Sequence, residues 1–208
     1  MQDSSQFGPA FSKAMTAFDA RNAQDPNRVD VDGMEHAKEL LYAQRMSAML
    51  ARYLPEASEA LQLAARCQHI ERWTISRASY PMTRPGYHQW RKNLKAYHAQ
   101  LAGELMREAG YDEVMVRRVT QLVSKDASLA DVEMQALEDV IVMVFVEYYL
   151  EEFVEQHPEY DVPKWKDILR KTLRKVSPEG HQGLLTKVNL PQALVPLIQE
   201  VMQEEGWL

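Results

Sequence analysis

DVEMQALEDVIVMVFVEYYLEEF, running from Asp131 to Phe153, decides the fold class of this chain. Its middle, Val140 to Val146, is seven consecutive apolar residues, and none of the 23 is Gly or Pro. Val, Ile and Phe favour strands, and periodicity alone does not separate a buried strand from a buried helix. Length and flanks do. Strands seldom exceed about ten residues, whereas EMQALED on one side and EYYLEEF on the other are good helix formers. A helix apolar on all sides belongs in a core, so 131–153 is predicted as one buried central helix. Asp139 stands where its buried section begins, and a carboxylate there needs a hydrogen bond, an ion pair or a metal.

The flanking sequence reads as helices throughout. Phe11, Met15 and Phe18 recur at helical spacing in 8–22. A helix over about 35–53 carries Leu40, Leu41, Met46, Met49, Leu50 and Tyr53 on its apolar side, with VDVDG before it as a short extended piece. Pro55 suits the first turn of a third helix reaching His69. A long helix over about 87–109 is stopped by Gly110, and a fifth runs to about Ser124. After Pro158 comes a basic amphipathic helix, 163–176, then a short turn at Ser177-Pro178 and a last helix over about 190–205. The expectation is an all-α protein: a single globular helical domain over 1–208, built around a buried central helix.

Composition sets limits on function. The chain has 208 residues, a net charge of −6 and one cysteine, Cys67. One cysteine permits neither an internal disulfide nor a thiolate zinc site. MQDSSQFGPA lacks the basic and apolar regions of a leader peptide, and seven apolar residues fall far short of a membrane span. The protein is therefore expected to be cytoplasmic, with no membrane partner. The acidic balance argues against a general nucleic-acid binder. Between Arg66 and Lys95, however, seven basic residues face one acid, Glu71. Much of that excess lies in ERWTISRASYPMTRPGY (71–87), a connection long enough to be functional.

Polar groups interrupt faces that otherwise read as buried: His69 at the end of the third helix, His98 within Leu94, Tyr97, Leu101 and Leu105, and Asp139. On the second helix His36 and Glu39, three residues apart, share a face, and either could complete the set. Imidazole with carboxylate suits Mn, Fe, Zn or Ni, and helical folds build such centres from several helices. No HxxxH or HExxH pair is present. His88, His157 and His181 sit in polar surroundings and are expected to be solvated.

The order of these residues is similar to that of the His–Asp metal-dependent phosphohydrolase superfamily. The resemblance implies an HD-like bundle in which His69, His98 and Asp139 are metal ligands. Where that superfamily has Asp after the His, this chain has Ile70, and Glu71 comes one residue late. More closely, ELLYAQRM (39–46), QHIERW (68–73), SYPMTRPGYHQWR (79–91), YHA (97–99), ALEDV (136–140) and LRKTLRKVSPEGH (169–181) resemble a bacterial and fungal family known as domain of unknown function 4202, over about 14–185. Because its first block begins at Glu39, this resemblance favours Glu39 over His36.

The expected function is a metal-dependent hydrolase of phosphohydrolase type, acting on a small phosphorylated or nucleotide-like molecule. A divalent cation would acidify a bound water. Glu71 and Lys125 are the expected catalytic groups. Arg72, Arg77, Arg84 and Arg91 would clamp phosphate, and Trp73, Tyr80 and Tyr87 would wall or stack on the substrate. A metal-free module that binds an anionic metabolite is the alternative. A third expectation is nucleic-acid contact through Lys164, Lys166, Arg170, Lys171, Arg174 and Lys175 around Trp165.

Overall fold

Local capping chemistry sets most of the element boundaries. Ser58, Thr83, Asp112, Asp131, Asp161 and Ser177 each accept a hydrogen bond from an amide in the first turn of the helix that follows, which satisfies donors that a helix start otherwise leaves bare. The computed structural model describes residues 7–126, 128 and 130–208. Residues 1–6, on which the leader-peptide reading rests, and residues 127 and 129, in the approach to the central helix, lie outside them. The chain divides into two compact units, 1–128 and 129–208. Both are helical, and the fold class is all-α with one small hairpin. No helix of the described residues is long and apolar enough to cross a membrane.

In the first unit, α1 (Pro9–Asn22) buries Phe11, Ala14 and Phe18. A two-stranded hairpin follows, β1 (Arg28–Val31) antiparallel to β2 (Met34–Ala37), with Val31 opposite Met34. Its two turn residues, Asp32 and Gly33, both have positive φ (54° and 78°), the primed geometry that matches strand twist. β2 passes directly into α2 (Lys38–Tyr53), which lacks a cap of its own. Asp25 substitutes: this buried side chain accepts from the Glu39 amide at 3.0 Å and from the backbone and side chain of Asn27, each at 2.8 Å.

α3 (Glu59–Cys67) begins at Ser58, not at Pro55, and ends two residues before His69. Residues 68–83 then descend through two single 3-10 turns, Arg72–Thr74 and Arg77–Ser79. α4 (Arg84–Ala109) packs on α1 and on α5 (Glu113–Ser124), and Gly110 in the left-handed conformation ends it. The loop closes tightly on the start of α4. A Cβ at Gly86 would lie 2.1 Å from the Pro81 carbonyl oxygen, so only glycine fits there.

The second unit holds α6 (Val132–Tyr148), α7 (Leu150–Glu155), α8 (Val162–Leu173), α9 (Pro178–Lys187) and α10 (Val195–Glu204). α6 is the buried helix expected, with Met134, Leu137, Val140, Met143 and Val144 in its core. It does not run to Phe153. The backbone breaks at Tyr149 (φ −131°, ψ −17°), and α7 carries Phe153 onto Trp165 of α8, edge to face at 5.6 Å. Ser177-Pro178 opens a ten-residue helix where a short turn was expected. His181 on that helix is buried, not solvated: it bonds the Leu173 carbonyl at 3.0 Å and stacks on Trp207. Three cations of α8 face acids, and Lys164 lies over the Tyr160 ring. Lys166 pairs with Glu200 and Glu204, and Arg170 with Glu204 and Glu205. Lys171 pairs with Asp167, and Trp165 is buried.

Candidate functional site

Glu39 sits in the first turn of α2, a position fixed by the bond from its own amide to Asp25. Its side chain is only 9% exposed. Among the described residues no hydrogen bond reaches its carboxylate oxygens. The nearest cationic or ring nitrogens, His69 Nδ1 at 3.6 Å and Arg72 Nε at 4.0 Å, are beyond good hydrogen-bonding range. Loss of hydration pushes the carboxyl up to about 7, against the downward pull of Arg72. The group is therefore poised between its two protonation states near neutral pH.

Two imidazoles complete the cluster. Arg72 Nη1 lies 3.2 Å from His69 Nε2. Because a guanidinium only donates, that nitrogen accepts, and the His69 proton belongs on Nδ1, towards Glu39. Burial holds His69 well below its usual range, with Arg72, Lys125 and Arg91 acting in the same direction. Tyr42, one turn after Glu39 on α2, stacks on the His69 ring at 4.3 Å. The His98 ring on α4 is 6.0 Å from that of His69. His98 Nδ1 lies 2.7 Å from the Ile70 carbonyl; a carbonyl only accepts, so Nδ1 carries the proton and Nε2 a lone pair. Burial first, then His69, depresses His98 to about 3. Both rings are neutral at physiological pH. Ile70 itself is wholly buried, a core residue whose backbone carbonyl orients His98.

The remaining expected residues fall into distinct settings. His36 lies on β2 opposite Val29, not on α2, so the shared helical face expected for it and Glu39 does not exist. Glu71 adopts a left-handed backbone (φ 50°) and is buried. One oxygen pairs with Arg21 at 2.6 Å, the other accepts from Tyr97 at 2.5 Å, and its amide donates to Asn22. Those bonds tie the loop to α1 and α4. Lys125, also left-handed, caps α5. Arg77 donates to the carbonyls of Tyr80 and Pro81 and lies over the Tyr87 ring. Arg72 lies 5.0 Å over buried Trp90, whose indole donates to Ile75. Tyr80 accepts from Asn93. Trp73 is half-buried, while Arg84, Tyr87 and Arg91 are exposed; Arg91 donates to the Tyr87 hydroxyl.

Asp139 belongs to the second unit and is supplied with donors there. It accepts from the Ser177 amide at 2.8 Å, the Ser177 hydroxyl at 2.6 Å and Gln135 at 2.9 Å. Gly180 packs against it so closely that a Cβ would stand 2.7 Å from Asp139 Cγ.

Glu39, His69 and His98 are donors of kinds that suit a divalent metal. The arrangement nonetheless does not fit a preformed metal centre. Arg72 occupies the lone-pair side of His69 Nε2, and among the described residues no three His, Cys, Asp or Glu side chains form a set that could hold a cation. The chemistry on offer is a carboxyl near neutrality, two neutral imidazoles and a guanidinium.

The chain matches the family described as domain of unknown function (DUF4202) over residues 12–198 and belongs to it. No curated protein and no solved structure matches.

Proposed function

We propose that the first unit carries an acid–base site for a small phosphorylated molecule and acts on it as a hydrolase. The observation that carries this reading is Glu39: a buried carboxyl whose proton is held to about pH 7, facing one guanidinium and two neutral imidazoles. A proton-transfer group works best when its pKa lies near the working pH. Arg72 supplies the planar fork suited to phosphate oxygens, and Lys125 and Arg91 add positive potential around His69. Ionised Glu39 takes a proton from water as the water oxygen bonds to phosphorus and the phosphorus–oxygen ester bond breaks. Glu39 then returns that proton to the departing alcohol oxygen.

The likeness to His–Asp phosphohydrolases agrees with this substrate class but brings a metal, and no step here depends on one. The test is a panel of phosphomonoesters and nucleotides, screened for thermal stabilisation and for phosphate release between pH 5 and 9 (a span of ~2 units either side of the Glu39 value). Turnover is expected to rise through about pH 7, and Glu39→Gln to lower kcat by roughly 10²–10⁴-fold. Stabilisation without turnover would leave a binding module in its place. Neither response from any ester would end the reading. Stoichiometric Mn, Fe, Zn or Ni in protein purified without chelator, lost in His69→Ala, would replace it with a metal-dependent one.

A further inference from the structure

His98 presents more hydrogen-bonding capacity than the fold uses. Its structural task is one bond, Nδ1–H to the Ile70 carbonyl, which an asparagine amide could make equally well. The second ring nitrogen, Nε2, is buried without a partner among the described residues, although the residue is only 2% exposed. A buried acceptor left bare is unfavourable and calls for a donor from water or from a ligand. The tautomer is fixed by geometry, so Nε2 can only accept. The neighbouring His69 and Arg72 side chains are partly open, at 24% and 32%, whereas Glu39 and His98 are buried.

We propose that His98 Nε2 accepts a hydrogen bond from a hydroxyl group of the ligand. The substrate class is then phosphorylated polyols, with the phosphate at Arg72 and a free hydroxyl reaching inward to His98. An ammonium donor is disfavoured, because Arg72, Arg91 and Lys125 all raise the positive potential around His69. This inference rests on the anionic-site reading above and adds a selectivity to it. Nε2 is a specificity group and breaks no bond.

The test compares glycerol 3-phosphate with n-propyl phosphate, equal in charge and differing in hydroxyls, by calorimetric titration. The full-length wild-type chain is expected to bind the hydroxylated ester roughly tenfold more tightly. His98→Asn keeps the donor to Ile70 and removes the acceptor at Nε2. It is expected to lose that preference, so that the two esters bind with equal affinity. A merely structural role for His98 would weaken both esters together and leave their ratio unchanged, and that result overturns the proposal. Equal wild-type affinity for the two esters, as an ordered water on Nε2 would produce, overturns it while leaving the anionic site standing. Binding of neither ester overturns both.

Discussion

Glu39 and Asp139 are both carboxylates buried in helical surroundings, one in each unit, and they are provided for in opposite ways. Asp139 receives the amide and the hydroxyl of Ser177 and the side chain of Gln135. In return it anchors the first turn of α9. Among the described residues Glu39 receives nothing at hydrogen-bonding distance, and its nearest cationic nitrogen is 4.0 Å away. A buried charge with donors is part of the architecture, whereas one without them is held at a cost that structure alone does not explain. The contrast is the reason the proposed chemistry is placed on Glu39, while the described bonds of Asp139 hold the start of α9. Sequence position does not distinguish them, since each is an acid on an otherwise apolar helix face.

The comparison can be broken most directly at Asp139. Asp139→Ala strands the Ser177 amide and hydroxyl and leaves Gln135 only the Lys175 carbonyl, and is expected to destabilise by roughly 4 kcal/mol in urea denaturation. A loss below about 1 kcal/mol would mean the bonds are dispensable. Glu39→Gln should have the opposite sign. The folded carboxyl holds its proton to about 7 rather than 4.5, so the wild type loses stability as pH rises between those values. Above pH 7 the variant is expected to be more stable by roughly 3 kcal/mol, and the gain should vanish below about pH 4.5. His69 and His98, depressed instead of raised, make both proteins less stable as pH falls below about 6.5; because Glu39 itself raises the His98 value, the gain is read above pH 7, where both rings are neutral. A pH-independent difference would refute the assigned environment of Glu39. The smallest effect belongs to Gly180→Ala, which forces a methyl against Asp139 and Val176. It should destabilise by roughly 2 kcal/mol, and an Asp139→Ala background should relieve only the part due to Asp139, because the Val176 contact at 2.5 Å remains.

Much of the fold was legible in patterning. The run Val140–Val146 identifies α6, and the turn residues and caps around α4 and α5 bound those helices within a few residues. The failures have specific causes. No Gly or Pro marks the break at Tyr149; the chain turns there so that Phe153 can meet Trp165, a tertiary contact that local propensity does not contain. The helix at 178–187 carries Gly180 and Gly183, which lower its propensity, though Ser177 before Pro178 was a readable start signal. His36 was assigned to α2 because the Asp32-Gly33 hairpin turn was read only as an extended approach. Of the candidate site, His69 and His98 were legible as polar interruptions of apolar faces, and their rings lie 6.0 Å apart. Tyr42 was recoverable from its spacing, one turn beyond Glu39. Asp25 was not: nothing local ties a turn aspartate to a helix start fourteen residues on.

That last bond has a consequence for how the protein assembles. The amide that seats Glu39 finds its acceptor on the far side of the β1–β2 hairpin, so the closed hairpin and the first turn of α2 depend on one shared bond. Excursions that open the hairpin release Glu39 at the same moment. The hairpin thus acts as a latch on the cooperativity of the first unit, and substitutions in Asp32-Gly33 would be felt at a residue they do not touch.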